Sequence, residues 1–372
     1  MANIVAQLGA EIDFRIVTSH HDYQDRTAYP GIALNRWQTV GRAEVFYMNK
    51  LSLNLRTIGH ITQSTPHQMV YLNSVFSYRF SILPLMARRL GRLGDRPVLV
   101  ASRGELGAGA LGLSRSRKRI YLQLGQRLGL FRGLHWQASS EQEAIEIMAA
   151  VGAPASRVHV APNLADLDLA EADRPDRPAM PPQQELPLSI AFLSRISRKK
   201  NLIYALDVIA RVRNQLPLPP RFHIYGNVCD PAYWDECRQR IEAHGLQSLV
   251  QIHGPLPHQQ VRPSLASHDL FLLPTLHENF GHVIIEALAA GTPVLTSDQT
   301  PWTDLPAEGA GWVCRLDDPA SFDAAVLELA RLPWAERQQQ RQRARRYAAR
   351  HATDPTVVER NRRLFLEVAG RG

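Results

Sequence analysis

The chain has 372 residues and a formal net charge of +8, and its 45% hydrophobic content is ordinary for a globular protein with two domains. No apolar run approaches the roughly eighteen residues that a membrane-spanning helix needs, and the first residues carry no signal-peptide pattern. Cys229, Cys237 and Cys314 have no spacing that suggests a disulfide framework or a zinc site. These features predict a cytoplasmic protein.

The positive charge is concentrated in the first half of the chain. Residues 1–165 hold 19 Lys or Arg against 10 Asp or Glu, whereas the rest holds 24 against 25. Two clusters stand out: Arg88, Arg89, Arg92 and Arg96, and then Arg115, Arg117, Lys118 and Arg119. Such patches suit the cytoplasmic face of an anionic membrane or a phosphate-bearing lipid acceptor, and a plain basic surface is the alternative. Nucleic acid is not expected as a partner, because no helix-turn-helix, zinc-finger or RNA-binding signature is present.

The first part of the chain alternates predicted helices and strands. Strands are predicted at Phe14–Ser19, Val45–Met48, Met69–Asn73, Val98–Ala101 and Leu134–Ala138. Helices are predicted at Ala2–Leu8, around Leu53–His60 and at Tyr78–Leu93. A further helix is predicted to open at Ser139-Ser140-Glu141, whose serines have the chemistry of a helix cap. His20, His21 and Asp22 do not predict a metal site, because adjacent residues of an extended chain point to opposite faces.

A linker divides the chain into two predicted domains. Residues 166–187 hold five prolines among charged residues and show no apolar period. The first domain covers residues 1–165, and the second covers residues 188–354. In the second domain, strands and helices alternate again, which predicts an α/β fold with a parallel sheet.

The stretch from Glu278 to Glu286 is the strongest candidate site. It follows Asp269–Leu273, a short apolar run typical of a buried parallel strand. Gly281 allows the backbone to approach a ligand at the start of the next helix, where N–H groups and the helix dipole favour a phosphate. Glu278 and Glu286 cannot bind phosphate, but they can accept hydrogen bonds from sugar or ribose hydroxyls. Two glutamates at this spacing are, taken alone, more often surface charges; the surrounding strand, glycine turn and helix favour a site.

Three motifs carry a family resemblance, and they occur in a fixed order. They are Arg195-Ile196-Ser197-Arg198-Lys199-Lys200-Asn201-Leu202, then Phe222-His223-Ile224-Tyr225-Gly226, and then the Glu-x7-Glu stretch. The segment from Ile190 to about Asp318 resembles the nucleotide-sugar-binding domain of retaining glycosyltransferases of family 4. The resemblance implies the B-type glycosyltransferase fold, with two Rossmann-like domains whose parallel sheets face a cleft. It also implies that the terminal helix, residues 355–372, returns to the first domain, on the acceptor side.

The resemblance implies transfer of a hexose from a nucleotide-diphosphate sugar to a polysaccharide or lipid-linked acceptor, with retention of anomeric configuration. Arg195 and Lys200 would bind the diphosphate, Glu278 would contact the transferred sugar, and Glu286 would hold the ribose. Asn279, Phe280 and Gly281 would complete the donor site. No metal and no cofactor besides the donor is expected.

Arg103 is a weaker candidate. It follows the predicted strand Val98–Ala101 in a loop similar to the family's Pro-Arg-Gly loop, with Ser102 in place of the proline. It would meet the donor phosphates or the acceptor, and an ordinary surface arginine is the alternative.

Two other functions are compatible with the sequence. An inactive nucleotide-binding or scaffold homologue is suggested because the family's first strand and Gly-rich loop, which would precede Ala2–Leu8, are missing. The second alternative is a related B-type enzyme, such as a sugar phosphorylase or nucleotide-sugar epimerase. A phosphorylase would need a pyridoxal-phosphate lysine and usually a far longer chain.

Overall fold

The computed structural model describes residues 1–21, 28–49, 52–107, 115–165, 186–352 and 354–370. The chain forms two compact units, Met1–Asp166 with Asp354–Gly372, and Leu167–Thr353. The predicted linker lies outside the described residues except for its last two positions, and so does Asp22 of the His20-His21-Asp22 sequence.

The first unit is built from short strands and the helices that connect them. In chain order they are α1 (Ala2–Leu8), β1 (Phe14–Ser19), β2 (Trp37–Val40), β3 (Ala43–Met48), α2 (Leu55–Ser64), β4 (Val70–Leu72), α3 (Leu83–Arg89), β5 (Val98–Ala101), α4 (Arg115–Arg127), β6 (His135–Ala138), α5 (Glu141–Val151) and β7 (Val158–Val160). The predicted helix Tyr78–Leu93 is a π-helical segment, Tyr78–Ile82, followed by α3. Of the residues predicted to open α5, Ser140 is the cap, and its hydroxyl accepts a hydrogen bond from the Glu143 amide.

The strands of the first unit form two sheets. β4, β5, β6 and β7 lie in that order, all parallel, and β1 pairs in parallel with β3. β2, which the sequence did not predict, adds to β3 in the antiparallel direction. β1 and β4 both line a cavity of about 1360 Å³ between the sheets. Val17 of β1 and Val70 of β4 pack on one apolar cluster. The sheets therefore share side-chain packing without backbone pairing between β1 and β4.

The final helix of the described chain, α12 (Pro355–Val368), belongs to the first unit. Phe365 packs in an apolar cluster with residues of α1 and β1. Asn361 is fully buried, accepts a hydrogen bond from Gln137 Nε2 at 3.0 Å and donates one to the Pro162 carbonyl at 2.8 Å. These contacts fix α12 against the carboxyl ends of β6 and β7.

The second unit is one parallel sheet with its connecting helices. Its elements are β8 (Ser189–Leu193), α6 (Leu202–Val212), β9 (Arg221–Tyr225), α7 (Pro231–Ala243), β10 (Val250–Gly254), α8 (His258–Ala266), β11 (Leu270–Leu273), α9 (His282–Ala289), β12 (Val294–Ser297), β13 (Gly311–Cys314), α10 (Pro319–Arg331) and α11 (Trp334–Ala352). The strand order is β10-β9-β8-β11-β12-β13. All four residues of β11 are fully buried, as their uninterrupted apolar sequence predicts.

This strand order places a switch point between β8 and β11. From β8 the chain moves outward through β9 to β10, and it then returns to β11 on the other side of β8. Helices that connect neighbouring strands at such a point leave in opposite directions, so a crevice opens at the carboxyl ends of the two strands. Both units are therefore α/β with mainly parallel sheets, which confirms the predicted fold class. Within the described ranges, none of the helices combines the length and apolar character needed to cross a membrane.

Gly226, at the end of β9, fixes the chain near that switch point. Its φ is 133°, a backbone conformation that other residues rarely adopt. A Cβ atom here would lie 1.8 Å from the carbonyl oxygen of Ser194, the residue that follows β8. The ends of β8 and β9 thus approach each other too closely for any side chain at this position.

We expect Gly226→Ala to destabilise the protein by about 4 kcal/mol or more, because strain and a backbone clash act together. Chemical denaturation measures this change. Gly254→Ala is the matched control: Gly254 is the last residue of β10, has a φ of 74°, and nothing lies within 4 Å of its added Cβ. Gly254→Ala should lower the free energy of unfolding by only about 1–2 kcal/mol. Equal losses in the two variants would show that the close approach of Ser194 is unimportant.

Candidate functional site

The predicted donor residues gather at the switch point of the second unit. Arg195 and Lys200 lie between β8 and α6, and the stretch from Glu278 to Gly281 lies between β11 and α9. Because β8 and β11 are parallel neighbours, their carboxyl ends meet at one edge of the sheet. The structure therefore brings together two motifs that are far apart in sequence.

An ion pair joins the two loops. Lys200 Nζ donates a hydrogen bond to Glu278 Oε2, and the two side chains are only 13% and 12% exposed. Loss of one partner would leave the other charge in a place with little water, which costs about 3–5 kcal/mol for a buried pair. An ammonium group has three donors, so this contact leaves Lys200 two N–H donors for a further acceptor.

Buried hydroxyl groups hold the backbone around this pair. Thr275 Oγ1 donates to the Lys199 carbonyl at 2.9 Å, and the Leu276 amide donates to the same oxygen at 2.8 Å. On the other side, Ser297 Oγ donates to the Thr275 carbonyl at 2.5 Å. Neither Thr275 nor Ser297 was predicted from the sequence. Their signal in the sequence is weak: Thr275 lies two residues beyond the buried strand β11, and Ser297 is the last residue of the buried strand β12.

An aromatic group holds the start of α9. Gly281 caps α9 with a φ of 79°, and a Cβ atom there would lie 2.9 Å from Glu278 Cγ. Trp302 Nε1 donates to the Phe280 carbonyl, and the two rings are 5.2 Å apart. Trp302 in turn contacts the ring of Tyr347 on α11. The peptide before α9 is thus held in place, and the first-turn N–H groups of this helix form its positive end. Trp302 is a third residue whose role was not predicted from the sequence.

Of the arginines in the Arg195–Lys200 motif, Arg195 retains an unneutralised charge. It is exposed, and no described residue forms an ion pair or hydrogen bond with its guanidinium. Arg198 instead forms a two-pronged ion pair with Glu236 of α7. In the part of the chain that the structure describes, no three His, Cys, Asp or Glu side chains are arranged to hold a metal ion.

Glu286 lies on the second turn of α9, near α8. Burial raises the pKa of the Glu286 carboxyl, and the charges of His258 and Arg262 on α8 partly oppose that rise. The fold therefore holds this carboxyl in a place with few compensating donors. It can accept a hydrogen bond from a neutral hydroxyl there at little electrostatic cost.

Arg103 belongs to the first unit and is held by neutral groups. It follows β5 with a φ of 52° and donates to Asn73 Oδ1 and to the Tyr71 hydroxyl, each at 2.7 Å, and also to Asn163 Oδ1. No carboxylate among the described residues pairs with it. Arg103 is therefore a fixed cation at the carboxyl edge of the β4–β7 sheet, rather than a loose surface side chain.

Glu143 on α5 fixes the backbone around Arg103. This buried carboxylate accepts hydrogen bonds from Ser102 Oγ and from the Gly104 amide. It also accepts from the amide and the hydroxyl of Ser139, at 2.7 and 2.6 Å. Four donors offset the cost of burying its charge. Ser102, at the position where the resembled family has proline, thus has a clear structural role.

Comparisons with known proteins agree with this architecture. Residues 174–350 match the family model of glycosyl transferases group 1. D-inositol 3-phosphate glycosyltransferase of Jonesia denitrificans is 28% identical over 230 residues, which cover 60% of this chain and 54% of that protein. The match thus spans about half the length of this curated relative. The segment that the family model matches contains the site at β8 and β11.

Two solved structures resemble both units. Anabaena Alr3699/HepE, in complex with UDP and glucose, has a TM-score of 0.64 and 18% identity, with 87% of this chain and 86% of that chain covered. Sucrose-phosphate synthase from Thermosynechococcus elongatus has a TM-score of 0.70 and 15% identity, with 100% and 92% covered. These similarities show the B-type glycosyltransferase fold that the sequence predicts.

We expect Glu286→Gln to stabilise the unliganded protein at pH 7.5. Because burial raises the folded-state pKa of Glu286 above its ordinary value of 4.5, folding favours the neutral form. The stability that the folded state gains from protonation of Glu286 is complete below the unfolded-state pKa. It is lost as pH rises through the folded-state pKa. Because Gln mimics the neutral carboxyl, Glu286→Gln should have a higher free energy of unfolding than the wild type at pH 7.5. This difference should shrink as pH is lowered towards 4.5.

Urea denaturation across this pH range measures the effect. Glu242→Gln is the control, since Glu242 is an exposed residue of α7. A gain that does not depend on pH, or a loss of stability at pH 7.5, would contradict the electrostatic account of Glu286.

Proposed function

We propose that the protein is a glycosyltransferase that moves a sugar from a nucleotide-diphosphate sugar to an acceptor hydroxyl. The observation that carries this proposal is the arrangement at the β8–β11 switch point. There, the exposed guanidinium of Arg195, the Lys200–Glu278 pair and the start of α9 gather at one edge of the sheet. A leaving nucleoside diphosphate gains negative charge in the transition state, and fixed cations and helix N–H groups stabilise such charge.

Each donor-site residue has a role that its surroundings support. Arg195 has all its guanidinium donors available for phosphate oxygens, and Lys200 has two N–H donors beyond its bond to Glu278. Glu278 keeps acceptor sites for a hydroxyl of the transferred sugar, while Glu286 would accept from the ribose. The backbone of Asn279, Phe280 and Gly281 would approach the phosphates at the start of α9.

The proposal extends to the stereochemistry and the acceptor. We propose retention through front-face substitution, in which the departing phosphate takes the acceptor proton, so that no carboxylate nucleophile is needed. A hexose would pass to a polysaccharide or lipid-linked acceptor, and Arg103 would meet an anionic group of that acceptor or the donor phosphates. The HepE structure contains UDP and glucose, which makes a UDP-sugar the first donor to test. The anomeric configuration of the product, read by NMR, tests retention; an inverted product would contradict it.

Replacing Lys200 tests the diphosphate site. We expect Lys200→Gln to weaken binding of the matching nucleoside diphosphate about tenfold to hundredfold, because charged hydrogen bonds are lost. It should also lower stability, since Glu278 loses its partner. The double variant Lys200→Gln/Glu278→Gln should recover stability while nucleotide binding stays weak. Titration calorimetry with UDP, GDP, ADP and CDP, together with thermal denaturation, separates the two effects.

The control is Arg238→Gln, which removes an exposed cation of α7 and should leave binding unchanged. Unaltered affinity in the double variant would exclude a role for Lys200 in diphosphate binding. Tight nucleotide binding with no sugar transfer to any acceptor would favour the inactive homologue over the enzyme.

Replacing Thr275 tests the support of the site. Thr275 and Thr296 are both fully buried, and each hydroxyl donates to a carbonyl, that of Lys199 at 2.9 Å and that of Leu273 at 2.8 Å. Thr275→Val and Thr296→Val should each lower stability by about 1–3 kcal/mol. Only Thr275→Val should also weaken nucleoside diphosphate binding, because only it frees the backbone beside Lys200. Equal affinities in the two variants would show that the hydrogen bond from Thr275 to the Lys199 carbonyl does not position Lys200.

A further inference from the structure

Helix α4 carries an exposed apolar stripe. Ile120, Leu124 and Leu128 are 53%, 48% and 60% exposed, and they recur every four residues, which places them on one face. Leu128 lies just beyond α4 but continues its hydrogen bonding, with its amide donating to the Leu124 carbonyl at 2.8 Å. The opposite face is anchored, since Leu122 is buried in the apolar core of the unit. The stripe therefore faces away from the core.

The end of α3 extends this stripe. Leu90 is 59% exposed, and Met86 one turn earlier is exposed as well. Arg89 Nε donates to the Leu128 carbonyl at 3.1 Å, so the carboxyl ends of α3 and α4 lie side by side. We call Met86, Leu90, Ile120, Leu124 and Leu128, with the exposed arginines Arg89, Arg92, Arg117, Arg119 and Arg127, the α3–α4 surface.

The charge of this region is strongly positive. Residues 67–132 contain twelve Lys or Arg and only two acidic residues, Asp95 and Glu105. Glu105 points inward: its carboxylate accepts hydrogen bonds from the Val75 amide at 2.7 Å and from the Ser74 hydroxyl. It does little to neutralise the arginines. The exposed aliphatic side chains thus lie within a positive field that other side chains leave largely uncompensated.

We propose that the α3–α4 surface docks on an anionic lipid bilayer, with the Leu and Ile side chains in the acyl boundary and the arginines at the headgroups. Burial of apolar area and attraction to anionic lipid act together at such a surface. The aliphatic stripe distinguishes this partner from nucleic acid, because sites for unpaired bases use aromatic side chains for stacking. The inference is independent of the proposed sugar transfer.

Sedimentation with lipid vesicles tests the proposal. The whole chain should bind vesicles of phosphatidylcholine with phosphatidylglycerol and not vesicles of phosphatidylcholine alone, and high salt should weaken binding. Leu124→Gln/Leu128→Gln and Arg117→Gln/Arg119→Gln should each reduce the partition coefficient about tenfold or more. Only the arginine variant should also reduce the dependence on salt.

The matched control is Ile145→Gln. Ile145 is 56% exposed on α5 of the same unit, beside acidic residues, and its replacement should leave binding unchanged. Absence of binding to anionic vesicles, equal binding to neutral vesicles, or an equal loss in Ile145→Gln would overturn the proposal. Binding to duplex DNA that is indifferent to the leucine replacements, without vesicle binding, would overturn it in favour of nucleic acid. Thermal denaturation serves as the folding check for every variant.

Discussion

The ion pair between Lys200 and Glu278 is the interaction on which the candidate site depends. Its partners are 78 residues apart in sequence, yet each lies just beyond one of two neighbouring parallel strands. The pair fixes a cation beside the positive end of α9, where a cation is otherwise unfavourable. The position of this cation becomes favourable when a doubly charged anion binds between the Lys200 ammonium and the positive end of α9. The paired arrangement of Lys200 and Glu278 beside α9 therefore supports a diphosphate site more directly than the presence of either residue in the sequence.

Strand order is the constraint behind this pair. Had the chain continued outward from β10, β11 would not lie beside β8, and the two motifs would end far apart. The close approach of Gly226 to Ser194, and the hydroxyls of Thr275 and Ser297, then fix the loops in detail. The side chains of the candidate site lie on loops, but buried strands and hydrogen bonds determine their positions.

Local sequence signals predicted the alternating strands and helices of the second unit, because β11 is an uninterrupted apolar run and α6 buries a regular apolar face. They failed for β2, a half-exposed strand of four residues, and for α4, whose basic residues obscure its apolar stripe. Trp302 and Thr275 could not be predicted, because their roles arise from contacts 22 and 76 residues away in sequence. The roles of Lys200 and Glu278 were predicted separately; their pairing is visible only in the folded chain.

The most direct test of the donor site is a crystal structure of this chain with the nucleoside diphosphate that binds it best. The account predicts diphosphate oxygens in contact with Arg195, Lys200 and the first-turn N–H groups of α9, with the ribose near Glu286. A nucleotide bound away from the carboxyl ends of β8 and β11, with the Lys200–Glu278 pair unchanged and no contact to either residue, would contradict it.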